Sequence, residues 1–154
     1  MNPFDLSNKV ICVTGASSGI GRQCAVSCSR MGATVVLLAR NEQRLHETLS
    51  IMDNPDKHVI IPVDLTEYAT VELVVKNIVS QVGRISGVLH CAGISTTLPL
   101  KLVTPEKLAE FFQANVFSAY NLTREVCKMG NFSKEGGSIV FFSSVMGKVG
   151  ENGK

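Results

Sequence analysis

Val10-Ile11-Cys12-Val13-Thr14-Gly15-Ala16-Ser17-Ser18-Gly19-Ile20-Gly21 is an apolar run that breaks into a glycine-rich loop and reopens as a helix. The run predicts a buried strand, the loop a tight turn, and the resumption a helix N-terminus. Gly15 suits the turn, Gly19 lets main-chain N–H groups approach a phosphate, and Gly21 lets the helix pack closely on the sheet. The first N–H groups of that helix have no partner within it and carry the positive end of its dipole. A pyrophosphate is the natural occupant of such a pocket. A plain β–α connection is the alternative, but the strand before and the helix after favour a dinucleotide.

Outward from that stretch, strand and helix patterns alternate to the end of the sequence. Residues 21–31 read as a helix with Ile20, Cys24, Cys28 and Met31 inward, ended by Gly32. Residues 34–39 are apolar throughout, as in a strand covered on both faces. Residues 42–52 form an amphipathic helix with Leu45, Leu49 and Met52 on one stripe. Strand three spans 58–63, with Pro62 placing it near an edge or near the end of its pairing. Thr66 is expected to cap a helix that turns Val71, Val74, Val75, Ile78 and Val82 inward and stops at Gly83. After strand four at 87–91, Thr104-Pro105-Glu106 opens the longest helix, running to about Met129, and strand five covers 137–143. Right-handed crossovers make this an α/β doubly wound parallel sheet, five strands in the order 3-2-1-4-5. Its ligand should lie beyond the C-terminal strand ends, on the loops at 15–21, 39–40, 64–65, 91–93 and 143–144.

The 154 residues suit one domain, and 45% hydrophobic content agrees with a sheet buried on both faces. Fifteen basic against thirteen acidic side chains give a charge of +2 without a basic cluster, which argues against a nucleic-acid partner. The start lacks a basic and apolar leader pattern, and no apolar run approaches the roughly 18 residues of a membrane span. A soluble, cytoplasmic protein without a membrane partner is expected. Cys12, Cys24, Cys28, Cys91 and Cys127 are odd in number and fall on strand and helix positions rather than in paired loops. Cys24 and Cys28, four apart, lack further ligands at metal spacing, so core packing is the better reading and no metal is expected.

Thr14-Gly15-Ala16-Ser17-Ser18-Gly19-Ile20-Gly21 closely resembles the coenzyme loop of the short-chain dehydrogenase/reductase family, in its single-domain branch. The resemblance implies a Rossmann domain over 1–154, cut before the later strands, whose coenzyme contacts Gly15, Ser17, Ser18, Gly19, Ile20 and Gly21. Asp64 in Val63-Asp64-Leu65 matches the position that meets the adenine edge, with Leu65 beside it; an Asx turn before the next helix is an equal reading of Asp64. His90-Cys91-Ala92-Gly93 looks like the family's Asn-Asn-Ala-Gly element with both Asn residues replaced. Cys91, Ala92 and Gly93 would therefore pass under the coenzyme by backbone alone. His90 could be a base, but a buried strand end more often holds a satisfied core histidine. Cys91 has no positioned base to make it a nucleophile.

A carboxylate usually ends strand two in folds that bind NAD, holding the adenosine ribose. Ala39-Arg40-Asn41 stands there instead, so NADP(H) is expected over NAD(H). Charge-assisted bonds of about 1.5–3 kcal/mol give a preference of roughly 10- to 100-fold. The alternative is a solvated helix-start charge.

Leu108, Phe111, Asn115, Leu122, Val126 and Met129 fall on one helical stripe, so the amide of Asn115 needs partners. Asn115-Val116-Phe117 resembles the family's catalytic Asn, which holds a relay water, and Ser143-Ser144-Val145-Met146-Gly147 its serine segment. Ser144 is then the group that binds the substrate oxygen. The family's proton donor is the Tyr of a Tyr-x-x-x-Lys pair, yet the chain has only Tyr68 and Tyr120, and Tyr120 is followed four residues later by Arg124. The expected function is hydride transfer between NADP(H) and a small carbonyl or secondary alcohol, 3-oxoacyl carrier-protein reductase-like substrates among them. The 154 residues alone would lack the acid and be inactive, a homodimer or homotetramer packed through the long helix is implied, and a non-catalytic NADP-binding module is the alternative.

Overall fold

The computed structural model describes residues 4–149. Strands β1 (Val10–Thr14), β2 (Thr34–Ala39), β3 (Val59–Pro62), β4 (Gly87–His90) and β5 (Ser138–Phe141) alternate with helices α1 (Gly19–Arg30), α2 (Glu42–Leu49), α3 (Tyr68–Val82), α4 (Pro105–Phe112) and α5 (Ser118–Val126). The strands form one sheet in the order β3-β2-β1-β4-β5, every pair parallel. This is the expected topology, and it sets the C-terminal ends of β1 and β4 side by side, with Thr14 opposite His90.

Alternation along the strands builds two cores. Cys12, Val36, Leu38 and Val88 face α3 and α5, meeting Val71, Val75, Ile78, Leu122 and Val126. Ile11, Val13, Val35 and Leu37 point the other way, onto Ala25, Val26 and Cys28 of α1 and Leu45 of α2. Leu37 and Leu38 are both fully buried, on opposite faces, which is why β2 is apolar without a break. Each such side chain contributes about 1.5–3 kcal/mol of burial.

Several local expectations change. The inward face of α1 is Gly21, Ala25, Val26, Cys28 and Ser29, while Ile20 is 60% exposed and Met31 also faces out. Cys28 is inward as expected and Cys24 packs on the same core, but Ile20 and Met31 give way to Gly21, Ala25 and Ser29 because the helix seats Gly21 against the strand end. Thr66 does not cap α3; Glu67 precedes it, and Thr66 instead donates its N–H and hydroxyl to Asp64 Oδ1 at 2.9 and 2.7 Å. His58 leaves strand three to become a plug, its Nδ1 accepting the Val35 N–H at 3.1 Å and its Nε2 meeting Asp53 O at 2.8 Å.

The long helix is interrupted by one π-helical turn, Gln113–Phe117, after which α5 ends at Val126 rather than near 129. The extra residue in that turn rotates everything beyond it, so the stripe does not stay buried. Leu122 and Val126 are in the core, whereas Leu108 is 49% exposed and Met129 and Asn115 lie at the surface. Pro62 ends edge strand β3, paired with Ala39, and β5 forms the other edge with Val140, Phe141 and Phe142 exposed. Among the described residues no helix is long and apolar enough to cross a membrane.

Candidate functional site

A cleft of about 710 Å³ opens beyond the C-terminal ends of β1, β2, β3 and β4. Its walls include every residue expected to meet a coenzyme: Gly15, Ser17, Ser18, Gly19, Ile20, Gly21, Arg40, Asp64, Leu65, Cys91, Ala92 and Gly93. Residues up to 78 positions apart in sequence converge there because a parallel sheet delivers all its strand ends to one rim.

The floor is main chain. A Cβ on Gly21 would lie 2.3 Å from Gly15 O and 2.6 Å from Gly15 C, so only glycine lets α1 begin this close beneath the loop. A Cβ on Gly15, which sits at φ +65°, would lie 2.9 Å from Ala92 N and Cα and from Cys91 O. Thr14 fastens the same junction, its buried Oγ1 accepting the Ala92 N–H at 2.9 Å. At the start of α1, Ser18 makes no side-chain cap, so the first N–H groups of the helix stay available at the cleft. That is a seat for an anion built without side chains.

At the far end, Arg40 reaches Asp64 only at 3.9 Å, with 73% of its side chain exposed. An exposed pair at that distance holds the guanidinium weakly. Asp64 makes the Asx turn and lines the cleft as well, and the two hydrogen bonds from Thr66, with Arg40 adding, keep its carboxyl below the usual carboxylate range. Asn41 Oδ1 accepts the Arg44 N–H at 2.9 Å and caps α2. Arg44 lines the cleft as Arg40 does, a second cation that the sequence reading missed. Its place one helical turn after the strand-two arginine was the available signal.

At the other end the π turn brings Ala114 and Ser118 to the wall and sets Asn115 against the loop after β4. The Asn115 amide binds there at both ends: Oδ1 accepts the Ile94 N–H at 2.7 Å and Nδ2 donates to Ile94 O at 2.9 Å. Its partners are main chain at the surface, not a buried pocket as its stripe suggested. His90 is a core histidine, hydrogen-bonded through Nε2 to Thr123 Oγ1 at 2.9 Å and stacked on Phe141 at 4.6 Å. Burial pushes its imidazole down to about 4, and pushes the Cys91 thiol up to about 12, with Cys24 and Cys28 beside it adding to the shift. Ser144 lies outside the cleft walls, exposed, its Oγ accepting the Met146 N–H at 3.1 Å. Tyr120 is 62% exposed on the helix surface.

A sequence profile of short chain dehydrogenases matches residues 9–154. The chain is 33% identical over 151 residues to the uncharacterized oxidoreductase YciK of Escherichia coli (strain K12), covering 94% of this chain and 59% of that one. It is 30% identical over 154 residues to the 3-dehydrosphinganine reductase of Danio rerio, covering 96% of this chain and 46% of that one. A protein of Shigella flexneri 2a str. 301 assigned to the short chain dehydrogenases and solved with NADP superposes with a TM-score of 0.85 at 33% identity, covering 96% of this chain and 64% of that one. The chain thus spans roughly half of the curated relatives it matches. With the sheet order, the loop and the profile in agreement, the chain belongs to the short chain dehydrogenase family.

Proposed function

We propose that the cleft binds NADP(H), and that the chain is the coenzyme-binding part of an oxidoreductase moving hydride between the nicotinamide and a small carbonyl or secondary alcohol. One observation carries the reading: a side-chain-free anion seat at the start of α1 and two arginines, Arg40 after β2 and Arg44 on α2, line one cleft. The seat suits a diphosphate and the arginines a 2′-phosphate.

When bound, the coenzyme would supply hydride chemistry. The chain's own part would be to hold and screen it. Ser17, Ser18, Gly19, Ile20 and Gly21 would bind the diphosphate through main-chain N–H groups, Arg40 with Arg44 the 2′-phosphate, and Asp64 and Leu65 the adenine side. Cys91, Ala92 and Gly93 would leave room for the ring by offering backbone. Asn115 would support a proton relay by fixing the Ile94 loop, and Ser144 would hydrogen-bond the substrate oxygen. The Danio rerio relative is by name a reductase, and the Shigella protein was solved with NADP; both support this reading. Exposed Leu108, Phe112, Phe117 and Tyr120 on α4, the π turn and α5 suit a homodimer or homotetramer through that face.

A second reading, a module that binds NADP(H) without turnover, is favoured by Ser144 lying outside the cleft walls. Fluorescence titration with NADPH and NADH, on wild type and on Arg40→Asp, tests the main reading. Wild type should prefer NADPH by roughly 10- to 100-fold and the variant should lose that preference. An unchanged ratio removes Arg40 from the site. Added carbonyl substrates that leave NADPH unoxidised would select the module.

A further inference from the structure

An anion seat made of main chain must turn its N–H groups toward the ligand and its carbonyl oxygens away, and two side chains behind this loop take hold of those oxygens. The Thr48 hydroxyl donates to Ala16 O at 2.9 Å, and Arg22 Nη2 donates to Ser17 O at 2.8 Å. The two are tied together, Arg22 Nε donating to Thr48 Oγ1 at 3.0 Å, and Glu47 accepts from Arg22 Nη2 at 3.2 Å. Ala16 and Thr48 are fully buried, and none of Ala16, Arg22, Glu47 or Thr48 forms part of the cleft wall. The bracket therefore grips the loop from its back.

A carbonyl oxygen carries partial negative charge, and one turned into the seat would repel a diphosphate at close range. A buried carbonyl without a donor is itself costly, so Thr48 and Arg22 remove the reason for these oxygens to swing toward the cleft. Thr48 sits one turn after Arg44 on α2, and its Oγ1 lies 3.1 Å from Arg44 O. The same hydroxyl thus joins the phosphate loop to the helix that carries Asn41 and Arg44 at the other end of the cleft.

We infer that Arg22 and Thr48 are positioning residues for the coenzyme diphosphate: they hold the carbonyls of Ser17 and Ala16 behind the loop so that only N–H groups face the anion. The inference rests on the reading of the cleft as a dinucleotide site. Glu47 keeps the Arg22 guanidinium on the far side, where it serves the carbonyl rather than the ligand.

The test is affinity for two probes, NADPH and adenosine 2′-monophosphate, the second lacking the diphosphate. In the full chain, Thr48→Val keeps the shape and removes the hydroxyl; it should weaken NADPH about 10-fold, equivalent to about 1.4 kcal/mol, and leave adenosine 2′-monophosphate within about two-fold. Arg22→Met should act in the same direction, and the double variant should lose less than the product of the two, because the pair shares one network. Thr48→Ser, which restores the hydroxyl, should bind NADPH within about two-fold of wild type. Unchanged NADPH affinity in Thr48→Val, parallel weakening of both probes, or Thr48→Ser behaving as Thr48→Val would each overturn the inference. A wild type that binds adenosine 2′-monophosphate but not NADPH would overturn the diphosphate reading itself, and this inference with it, before any variant is made.

Discussion

Replacing Gly21 by Ala puts one methyl group where the structure has least room. Its Cβ would stand 2.3 Å from Gly15 O, 2.6 Å from Gly15 C and 3.0 Å from Thr14 O, all of them backbone atoms that no rotamer change can move. Ordinary contact begins near 3.4 Å, so α1 must draw back from the loop by about 1 Å. Overpacking of that kind costs about 1–3 kcal/mol, and for a domain of this size 2 kcal/mol lowers Tm by roughly 4–8 °C. The displaced part is the first turn of α1, so diphosphate hydrogen bonds should lengthen and NADPH binding should fall on the order of 100-fold. Differential scanning fluorimetry and NADPH titration of the same preparation read both effects. A Gly21→Ala protein that melts within about 1 °C of wild type and binds NADPH equally would refute the close-packing argument, since the methyl would then have found space that the geometry denies it.

Acid should destabilise the fold through its buried histidines. The His90 imidazole is held down to about 4 from an ordinary value near 6.5, and that of His58 is also lowered, first by burial, so the unfolded chain takes up protons that the folded one refuses. Stability from this source is complete above about pH 6.5 and drains away as pH falls toward 4, by up to about 3 kcal/mol for His90. Urea midpoints at several pH values should flatten over that window in His90→Asn; an unaltered slope would rule His90 out. Thr14→Val leaves the Ala92 N–H without its acceptor at the junction of β1 and β4 and should cost about 1–3 kcal/mol by urea unfolding. Asn115→Asp places a carboxylate oxygen against Ile94 O while keeping the Ile94 N–H satisfied, and should lower stability by about 1 kcal/mol at neutral pH, recovering as the carboxyl is protonated.

Sheet order and cleft composition were legible because both follow from short-range patterns. Apolar β-branched runs such as 34–39 declare buried strands, and the rule that ligands sit at strand ends brings four of the five expected loops into one wall, the loop at 143–144 staying outside it. What failed were inferences that carried a 3.6-residue period across an irregularity. The stripe from Leu108 to Met129 assumed a regular helix, and a single wide turn at Gln113–Phe117 broke it. The α1 face was misjudged because Gly21, Ala25 and Ser29 are small or polar, and a hydrophobicity pattern ignores residues whose virtue is lack of bulk. Arg22 and Thr48 gave no signal at all: an Arg beside Gly21 and a Thr late in α2 look like surface positions until the loop carbonyls between them are seen.

The wide turn also governs how the chain tolerates changes in length. Because Gln113–Phe117 holds one residue more than a regular helix needs, losing one residue there would let the turn close to a regular helix with Leu122 and Val126 still facing the core. A one-residue deletion should therefore be absorbed at the turn, whereas the same deletion early in α5 swings the residues after it by about 100°, so a deletion scan across 105–126 should find its mildest loss of soluble protein at Gln113–Phe117.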